Sequence, residues 1–288
     1  MIGICTDSSS QMPPELRERY GIEVVPMTVS IDGDEYLEDV DLDADAFWAR
    51  FDNGRVPEVE TSRPSPGQFA LAYEALVDRG ATGILSIHVG SAVSGTVNSA
   101  RLAAHSSSVP VRLIDTGTAS FGISCCAWAA AQAIVDGASI DDAVAVAEAT
   151  IPRIGNVFVL GALDLLHAWG RTTISVDDLP AGSIPVLTLD DGDVRPLVIV
   201  GSPDEAVAAM VEHITRLGAD LKVGVGTADR RGAPISEALA AALHAAPGVL
   251  EVVDYRVGPS VGIHTGPGTA GAFAFSAAPL ASSVSKAS

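Results

Sequence analysis

Short apolar runs alternate with helical patterns in the first half of the chain. The runs at 2–5, 84–89 and 109–115 each end in a polar loop, and a stretch with helical spacing follows each loop. The connections are long enough for right-handed crossovers, so the pattern predicts a mostly parallel sheet with helices on both faces. The run at 22–31 is predicted to add one further strand.

Capping residues mark the expected beginnings of two helices. Ser65 is followed by Pro66 and, three residues after the cap, by Gln68, which predicts a capping box. Ser202 and Glu205 have the same spacing and predict a second box.

The pattern changes after about residue 153. A strand is predicted at 156–163, and the runs at 184–189 and 194–200 are expected to form a hairpin. We therefore expect an N-terminal α/β domain over 1–153 and a C-terminal α/β domain over 154–288. The second domain is predicted to contain a mixed or antiparallel sheet with helices, and a ligand tunnel is expected at or near the interface.

Charge and hydropathy narrow the function classes. The 288 residues carry a formal net charge of −19, which disfavours nucleic acid and anionic membrane surfaces as partners. Mean hydropathy is +0.33, yet no apolar run reaches the ~18 residues expected of a transmembrane helix. The N-terminal stretch has no basic start and reaches Asp7 too soon for a signal peptide, so a cytoplasmic location is expected.

Cysteine and histidine spacing gives no indication of a metal site. The chain has three cysteines, too few and too badly spaced for a disulfide framework or zinc. Cys125 and Cys126 are adjacent in a helical pattern and are predicted to be packing residues. None of the six histidines is paired at the i, i+4 spacing of a helical metal site, so no metal or cofactor is predicted.

A glycine-rich stretch near the end of the sequence, at 258–275, contains a G-x-G-x-x-G match from Gly266 to Gly271. A dinucleotide site would also need a βαβ unit and an acidic residue about 20 positions later. No Asp or Glu follows Gly271, and no Gly-Lys-Ser/Thr is present for a Walker loop. The glycines are therefore expected to shape a different site, with His264 facing its ligand.

Hydroxyl-rich loops supply the candidate ligand groups. The loops at 7–10, 94–96 and 116–120 follow predicted strands, and the loop at 61–65 leads into a helix. Ligands of parallel α/β sheets bind at the carboxyl ends of the strands. None of these loops contains lysine, so hydroxyls, amides and one imidazole favour a carboxylate over a phosphate. Ser94 has a competing role as a helix cap.

These motifs, taken together, resemble the DegV family. The resemblance is carried in order along almost the whole chain by TDSSS at 6–10, Thr61-Ser62-x-Pro64-Ser65, Ser94-Gly95-Thr96 with Ser99-Ala100, Ile114-Asp115, Trp169-Gly170-Arg171 and Gly262-x-His264-Thr265-Gly266-Pro267-Gly268. It implies a two-domain α/β protein without catalysis of its own that binds a long-chain fatty acid in a tunnel. It also implies a partner, an ATP-dependent bacterial fatty acid kinase that phosphorylates the bound carboxylate for phospholipid synthesis.

The resemblance also assigns roles to individual residues. It implies that the carboxylate is surrounded by Thr61, Ser62, Ser94, Gly95, Thr96, His264 and Thr265. Gly266 and Gly268 would support this loop by letting the backbone approach closely, and Arg171 would lie near the mouth, where the kinase docks. The chain departs from the family's usual residues at Arg63, Val97, Trp169 and Ile184, and these positions bear on the kinase partnership and the preferred acyl chain.

An enzymatic alternative uses His264 as the nucleophile or base of a phosphotransferase or acyl-transfer enzyme. Such an imidazole needs a carboxylate to orient it. Asp7 and Asp115 are the candidates in the site loops. A regulatory protein would need a nucleic-acid-binding surface, which the net charge disfavours.

Overall fold

The computed structural model describes residues 1–163, 179–190 and 193–278. Its strands, numbered in chain order, are β1 (Ile2–Asp7), β2 (Glu23–Val25), β3 (Thr28–Ile31), β4 (Asp34–Leu37), β5 (Val59–Ser62), β6 (Gly83–His88), β7 (Val111–Asp115), β8 (Gly155–Val159), β9 (Ile184–Asp190), β10 (Asp193–Val200), β11 (Leu221–Thr227), β12 (Val249–Arg256) and β13 (Ala270–Ser276). The α-helices are α1 (Pro14–Tyr20), α2 (Ala44–Trp48), α3 (Pro66–Asp78), α4 (Thr96–Ala104), α5 (Phe121–Val135), α6 (Ile140–Thr150), α7 (Pro203–Thr215), α8 (Ala233–His244) and α9 (Pro259–Thr265). Short 3₁₀ turns occupy Ser8–Ser10, Ala49–Gly54 and Ile151–Arg153.

The N-terminal sheet is parallel, with strand order β2-β1-β6-β7. Successive side chains of a strand point to opposite faces. Ile4 and Leu85 accordingly belong to a buried cluster with α5, whereas Cys5 and Ile84 belong to another with α3 and α4. The predicted parallel sheet with helices on both faces is confirmed.

The stretch at 22–31 is not one strand, as predicted, but two. β2 belongs to the parallel sheet, while β3 belongs to a separate antiparallel sheet with order β4-β3-β5. Pro26 lies between them, and proline lacks the N–H that a continuous ladder needs. This small sheet brings β5 towards the site described below.

The C-terminal sheet is mixed, with order β10-β9-β8-β13-β11-β12. Its neighbouring strands are antiparallel except for β11 and β12, and β9 and β10 pair as the predicted hairpin does. The described strands after residue 153 all belong to this sheet. One buried cluster nevertheless runs from the first sheet through α5 to Phe273 and Phe275, so the division into 1–153 and 154–288 stays a prediction.

The predicted capping residues hold α3 and α7. Ser65 and Gln68 form the complete capping box. Ser202 accepts from the N–H of Glu205, but the Glu205 carboxylate accepts from Gly201 N instead of returning to Ser202. The second box is therefore wrong in its reciprocal bond, because the acidic side chain reaches one residue farther back. Cys125 and Cys126 are fully buried in α5, as expected of packing residues.

Candidate functional site

A cavity of about 490 Å³ lies between the parallel sheet and the mixed sheet. Its volume is in the range of small-molecule sites. Half of the 22 described lining residues have apolar side chains: Met27, Val89, Val93, Ala119, Phe158, Leu160, Leu189, Val194, Val257, Val261 and Phe273. The polar lining consists of Ser9, Thr61, Arg63, Ser94, Ser120, Tyr255, Ser260, His264, Thr265 and Thr269.

Strand alternation in the mixed sheet builds the apolar wall. On β8, Phe158 faces the cavity, while Val157 and Val159 on either side pack into the cluster with α7 and α8. On β13, Gly271 and Phe273 line the cavity. A Cβ on Gly271 would come within 2.6 Å of the Phe158 Cβ, so this glycine makes room for the Phe158 side chain.

The same alternation separates two neighbouring residues that the resemblance placed together. Thr61 lines the cavity, and so does Arg63, two residues later. Ser62 lies between them, is exposed, and is absent from the lining. Because one strand cannot direct adjacent side chains to the same face, the structure brings only Thr61 of this pair into the site.

The loop before α4 combines capping with cavity lining. Ser94 Oγ lies 2.7 Å from Thr96 Oγ1 and accepts from Thr96 N, the first N–H of α4, at 3.3 Å, although the N-cap position itself is Gly95. Thr96 is buried behind it and does not line the cavity. Gly95 lies beneath Arg63: a Cβ added to Gly95 would come within 2.9 Å of Arg63 Nη1.

His264 and Thr265 end the short helix α9, which packs against β5. Both side chains line the cavity and are half-buried. Gly262 seats this helix against Trp48, whose ring would lie 2.7 Å from an added Cβ. Trp48 Nε1 also donates to Val257 O at 2.7 Å. The aromatic side chains of α2 thus fix the approach of α9 to the cavity.

Thr265 presents a buried hydroxyl that has no partner in the described part of the chain. Its Oγ1 is buried and forms no hydrogen bond with the described residues. Leaving such a group unpaired costs about 1–3 kcal/mol. A polar ligand atom in the cavity would satisfy it.

Gly266 and Gly268 follow α9 and are not among the residues that line the cavity. Their φ angles are 75° and 81°, which favour glycine over other residues. A Cβ on Gly266 would come within 2.7 Å of the Ala162 Cβ, and one on Gly268 within 3.0 Å of the Gly161 Cα. These close approaches are to another protein segment, and the expectation that the two glycines let the backbone approach the ligand stays a prediction.

Three lining residues had no individual site role in the sequence prediction, although Ser120 and Arg63 lie in its hydroxyl-rich loops. Ser120 precedes α5 and adopts a φ of 56°, a strained conformation for a residue other than glycine. Tyr255 stacks on Phe121 with ring centroids 4.6 Å apart. Burial raises the Tyr255 pKa, and its hydrogen bond with Ser120 lowers it by a smaller amount. Arg63 provides a cation where the loops were expected to offer hydroxyls and amides. Its signal was visible, because it is the basic residue within the loop at 61–65.

The carboxylates that could have oriented a catalytic His264 bind other groups. Asp7 Oδ2 lies 2.9 Å from His88 Nδ1, and His88 Nε2 lies 2.6 Å from Ser86 Oγ, all fully buried. Asp115 Oδ1 accepts from the backbone N–H of Ser91 at 3.0 Å and of Gly117 at 3.2 Å. The geometry therefore gives the enzymatic alternative no support from either residue.

Glu38, another buried acid, forms hydrogen bonds with Ser260 of the cavity lining. Glu38 Oε1 accepts from Ser260 N at 2.9 Å and from Ser260 Oγ at 2.8 Å, and Glu38 Oε2 accepts from Ser8 Oγ. Burial raises the Glu38 pKa to about 7, although these hydrogen bonds oppose the change. Ser260 is thereby held between Glu38 and the cavity.

Other expectations concern metals, membranes and Arg171. The described part of the chain contains no cluster of acids, histidines and cysteines suited to a metal ion. It also contains no helix long and apolar enough to cross a membrane. Arg171, with Trp169 and Gly170, lies outside the described residues.

Comparison with known proteins gives whole-length matches. Residues 1–277 match the model of the DegV family of uncharacterised proteins. A DegV domain-containing protein of Streptomyces coelicolor is 34% identical over 275 residues, covering 94% of this chain and 96% of the relative.

Solved structures have the same fold. A DegV family protein of Thermus thermophilus, described as fatty acid binding, superposes with a TM-score of 0.80 at 28% identity, covering 96% of this chain and 99% of the other. A DegV lipid binding protein of Thermotoga maritima gives 0.82 at 25% identity, with 95% and 98% covered.

Proposed function

The chain belongs to the DegV family, and from that premise we propose that it binds a long-chain fatty acid in the cavity between its parallel and mixed sheets. The observation that supports this proposal most directly is the composition of the cavity lining. Apolar side chains of the mixed sheet, and of loops that adjoin it and the parallel sheet, make up about half of its lining. Hydroxyls, an imidazole and a guanidinium make up nearly all of the rest. An acyl chain with an ionised head has the same division of character.

The apolar lining accounts for affinity. Burial of hydrocarbon contributes about 0.8 kcal/mol for each CH₂ group removed from water. A long acyl chain therefore binds favourably even after the loss of its conformational freedom. Phe158, Leu160 and Phe273 offer such a chain a surface without hydrogen-bonding demands.

The polar lining accounts for the head group. A buried carboxylate without hydrogen bonds is costly, so donors must converge on it. Three elements that meet at the cavity carry the donors: Thr61 is on β5, Ser94 is in the loop before α4, and His264 and Thr265 are on α9. β5 contacts α9 directly. Arg63, which follows β5, lies against Gly95 of the loop before α4. We propose these four side chains as the carboxylate site, with Gly95 and Thr96 in neighbouring supporting positions and the exposed Ser62 outside it.

Native mass spectrometry of the purified protein tests the ligand class. About one fatty acid per chain should accompany the protein, since an apolar cavity filled with water is unfavourable. The excess mass should disappear on denaturation, and gas chromatography of the extract should identify the acid. A protein that is free of lipid and takes up no fatty acid afterwards would refute the proposal.

Single substitutions test the carboxylate site. Ser94→Ala and His264→Ala should each weaken binding of hexadecanoic acid by about tenfold or more, since a hydrogen bond to a charged group contributes about 1.5–3 kcal/mol. Hexadecanol should be affected much less. Ser62→Ala is the matched control, because Ser62 lies on the same strand as Thr61 but outside the lining. Equal losses for acid and alcohol would mean that these side chains only shape the cavity.

We further propose that the protein presents the bound carboxylate to an ATP-dependent kinase, which forms an acyl phosphate, and has no catalysis of its own. Arg171 is proposed to serve docking or phosphoryl transfer, because a guanidinium can hold two phosphate oxygens. Arg171→Ala should leave fatty acid affinity unchanged and strongly reduce acyl phosphate formation by a fatty acid kinase. A wild-type rate of phosphorylation would contradict this role, and loss of the lipid would place Arg171 in the carboxylate site.

A further inference from the structure

Arg63 differs from the rest of the cavity lining in its charge. Among the described lining residues it alone carries a permanent charge, and neither Asp nor Glu is present there. It forms no ion pair or hydrogen bond with the residues that the structure describes. Elsewhere, exposed arginines such as Arg55 and Arg230 pair with nearby carboxylates, Asp32 and Asp52.

The position of the guanidinium depends on Gly95. A Cβ built on Gly95 would lie 2.9 Å from Arg63 Nη1, 3.0 Å from its Cδ and 3.1 Å from its Cζ. Such separations are shorter than van der Waals contact, so Arg63 lies this close to the loop because residue 95 lacks a side chain, and a Cβ there would make the guanidinium shift. The Gly95 backbone has φ −78° and ψ 11°, which alanine adopts without strain, so its conformation does not require glycine.

The charge of the whole chain gives this cation a task. A net charge of −19 repels an anionic ligand, whereas a guanidinium on the cavity wall attracts one locally. Its planar fork can donate two parallel hydrogen bonds to a carboxylate. Ser94, beside Gly95, lines the same part of the cavity.

We propose that Arg63, seated on Gly95, is the cation that makes this cavity selective for ionised over uncharged lipid heads. This inference rests on the proposed binding of a fatty acid and adds the group that recognises its charge. It also gives Gly95 a role: the residue supports Arg63 instead of contacting the ligand. Arg63 is partly screened by solvent because it is exposed, so its effect should weaken as salt is added.

Paired measurements of hexadecanoic acid and hexadecanol binding test the inference. Arg63→Gln should weaken binding of the acid about tenfold at low salt and leave alcohol binding within about twofold. Arg63→Lys should fall between, since it keeps the charge without the fork. Arg55→Gln removes the same charge outside the cavity and should change neither affinity. An unchanged acid affinity in Arg63→Gln, or equal losses for both ligands, would overturn the proposal.

Gly95→Ala tests the seat separately from the charge. The added methyl group should displace the flexible guanidinium and weaken acid binding in the otherwise wild-type chain. It should have no further effect in the Arg63→Gln background, because the group that it displaces is already gone. Additive losses would show that Gly95 acts independently of Arg63 and refute the seating. Wild-type protein that binds neither ligand would refute the proposed function itself. Wild-type protein and Arg63→Gln variant that bind the acid equally well would refute only the role of Arg63.

Discussion

Replacing Glu38 by Gln is expected to remove one component of the pH dependence of stability. Glu38 is fully buried beside Ser8 and Ser260, and Asp39 is a further acid nearby. Gln has nearly the same shape and can still accept a hydrogen bond from Ser260, but it does not ionise. The substitution therefore tests the cost of a buried negative charge next to the cavity wall.

The structure gives both the sign and the size of the effect. Burial raises the Glu38 pKa from its ordinary value of 4.5 to about 7. Between pH 4.5 and about pH 7, Glu38 is therefore protonated in the native state but ionised in the unfolded chain. The corresponding contribution to the free energy of unfolding is present in full below the unfolded pKa and is lost as pH rises through the folded pKa. Each pKa unit corresponds to about 1.4 kcal/mol, so the ionised native state carries a cost of about 3 kcal/mol.

Urea unfolding followed by tryptophan fluorescence provides the assay. The difference in unfolding free energy, Glu38→Gln minus wild type, should rise by about 3 kcal/mol from about pH 4 to about pH 8. Glu35→Gln is the matched control, since Glu35 is exposed on the adjoining strand β4, and its difference should stay level. A level difference for Glu38→Gln, or one that falls as pH rises, would refute the reasoning.

Three further substitutions test packing and capping. Thr265→Val should leave the free energy of unfolding unchanged or raise it by up to about 1 kcal/mol, because the hydroxyl has no described partner, yet weaken fatty acid binding about tenfold. Gly224→Ala should lower the free energy of unfolding, measured in urea, by about 1–3 kcal/mol, because the new Cβ would come within 2.3 Å of the Phe121 ring. In the control Gly201→Ala the nearest contact is 3.6 Å, so the free energy of unfolding should fall by less. Ser65→Ala should lower it by about 1 kcal/mol through loss of the α3 cap, and an unchanged midpoint would contradict that role.

Local patterns determined much of the fold. The spacing of apolar residues predicted the parallel sheet and the hairpin of β9 and β10, and the spacing of Ser65 and Gln68 predicted the α3 cap. The strand and helix periods, the hairpin turn and the cap depend on neighbours within a few residues, so the sequence itself carries their signal. The motifs that resemble the DegV family likewise identified the family, which the match over residues 1–277 establishes.

Tertiary structure decided which side chains of those motifs share the cavity. Thr61 and Ser62 are adjacent in sequence, yet strand alternation places only Thr61 in the lining. Thr96 is buried behind Ser94. Gly266 lies against Ala162, and Gly268 lies against Gly161.

Contacts between distant segments supplied the remaining parts of the site. Phe158 reaches the cavity from a strand of the second sheet, and Arg63 reaches it across Gly95. A sequence pattern records the order and type of residues along the chain. The orientation of a side chain across an interface depends on how separate elements pack, which the local pattern does not encode.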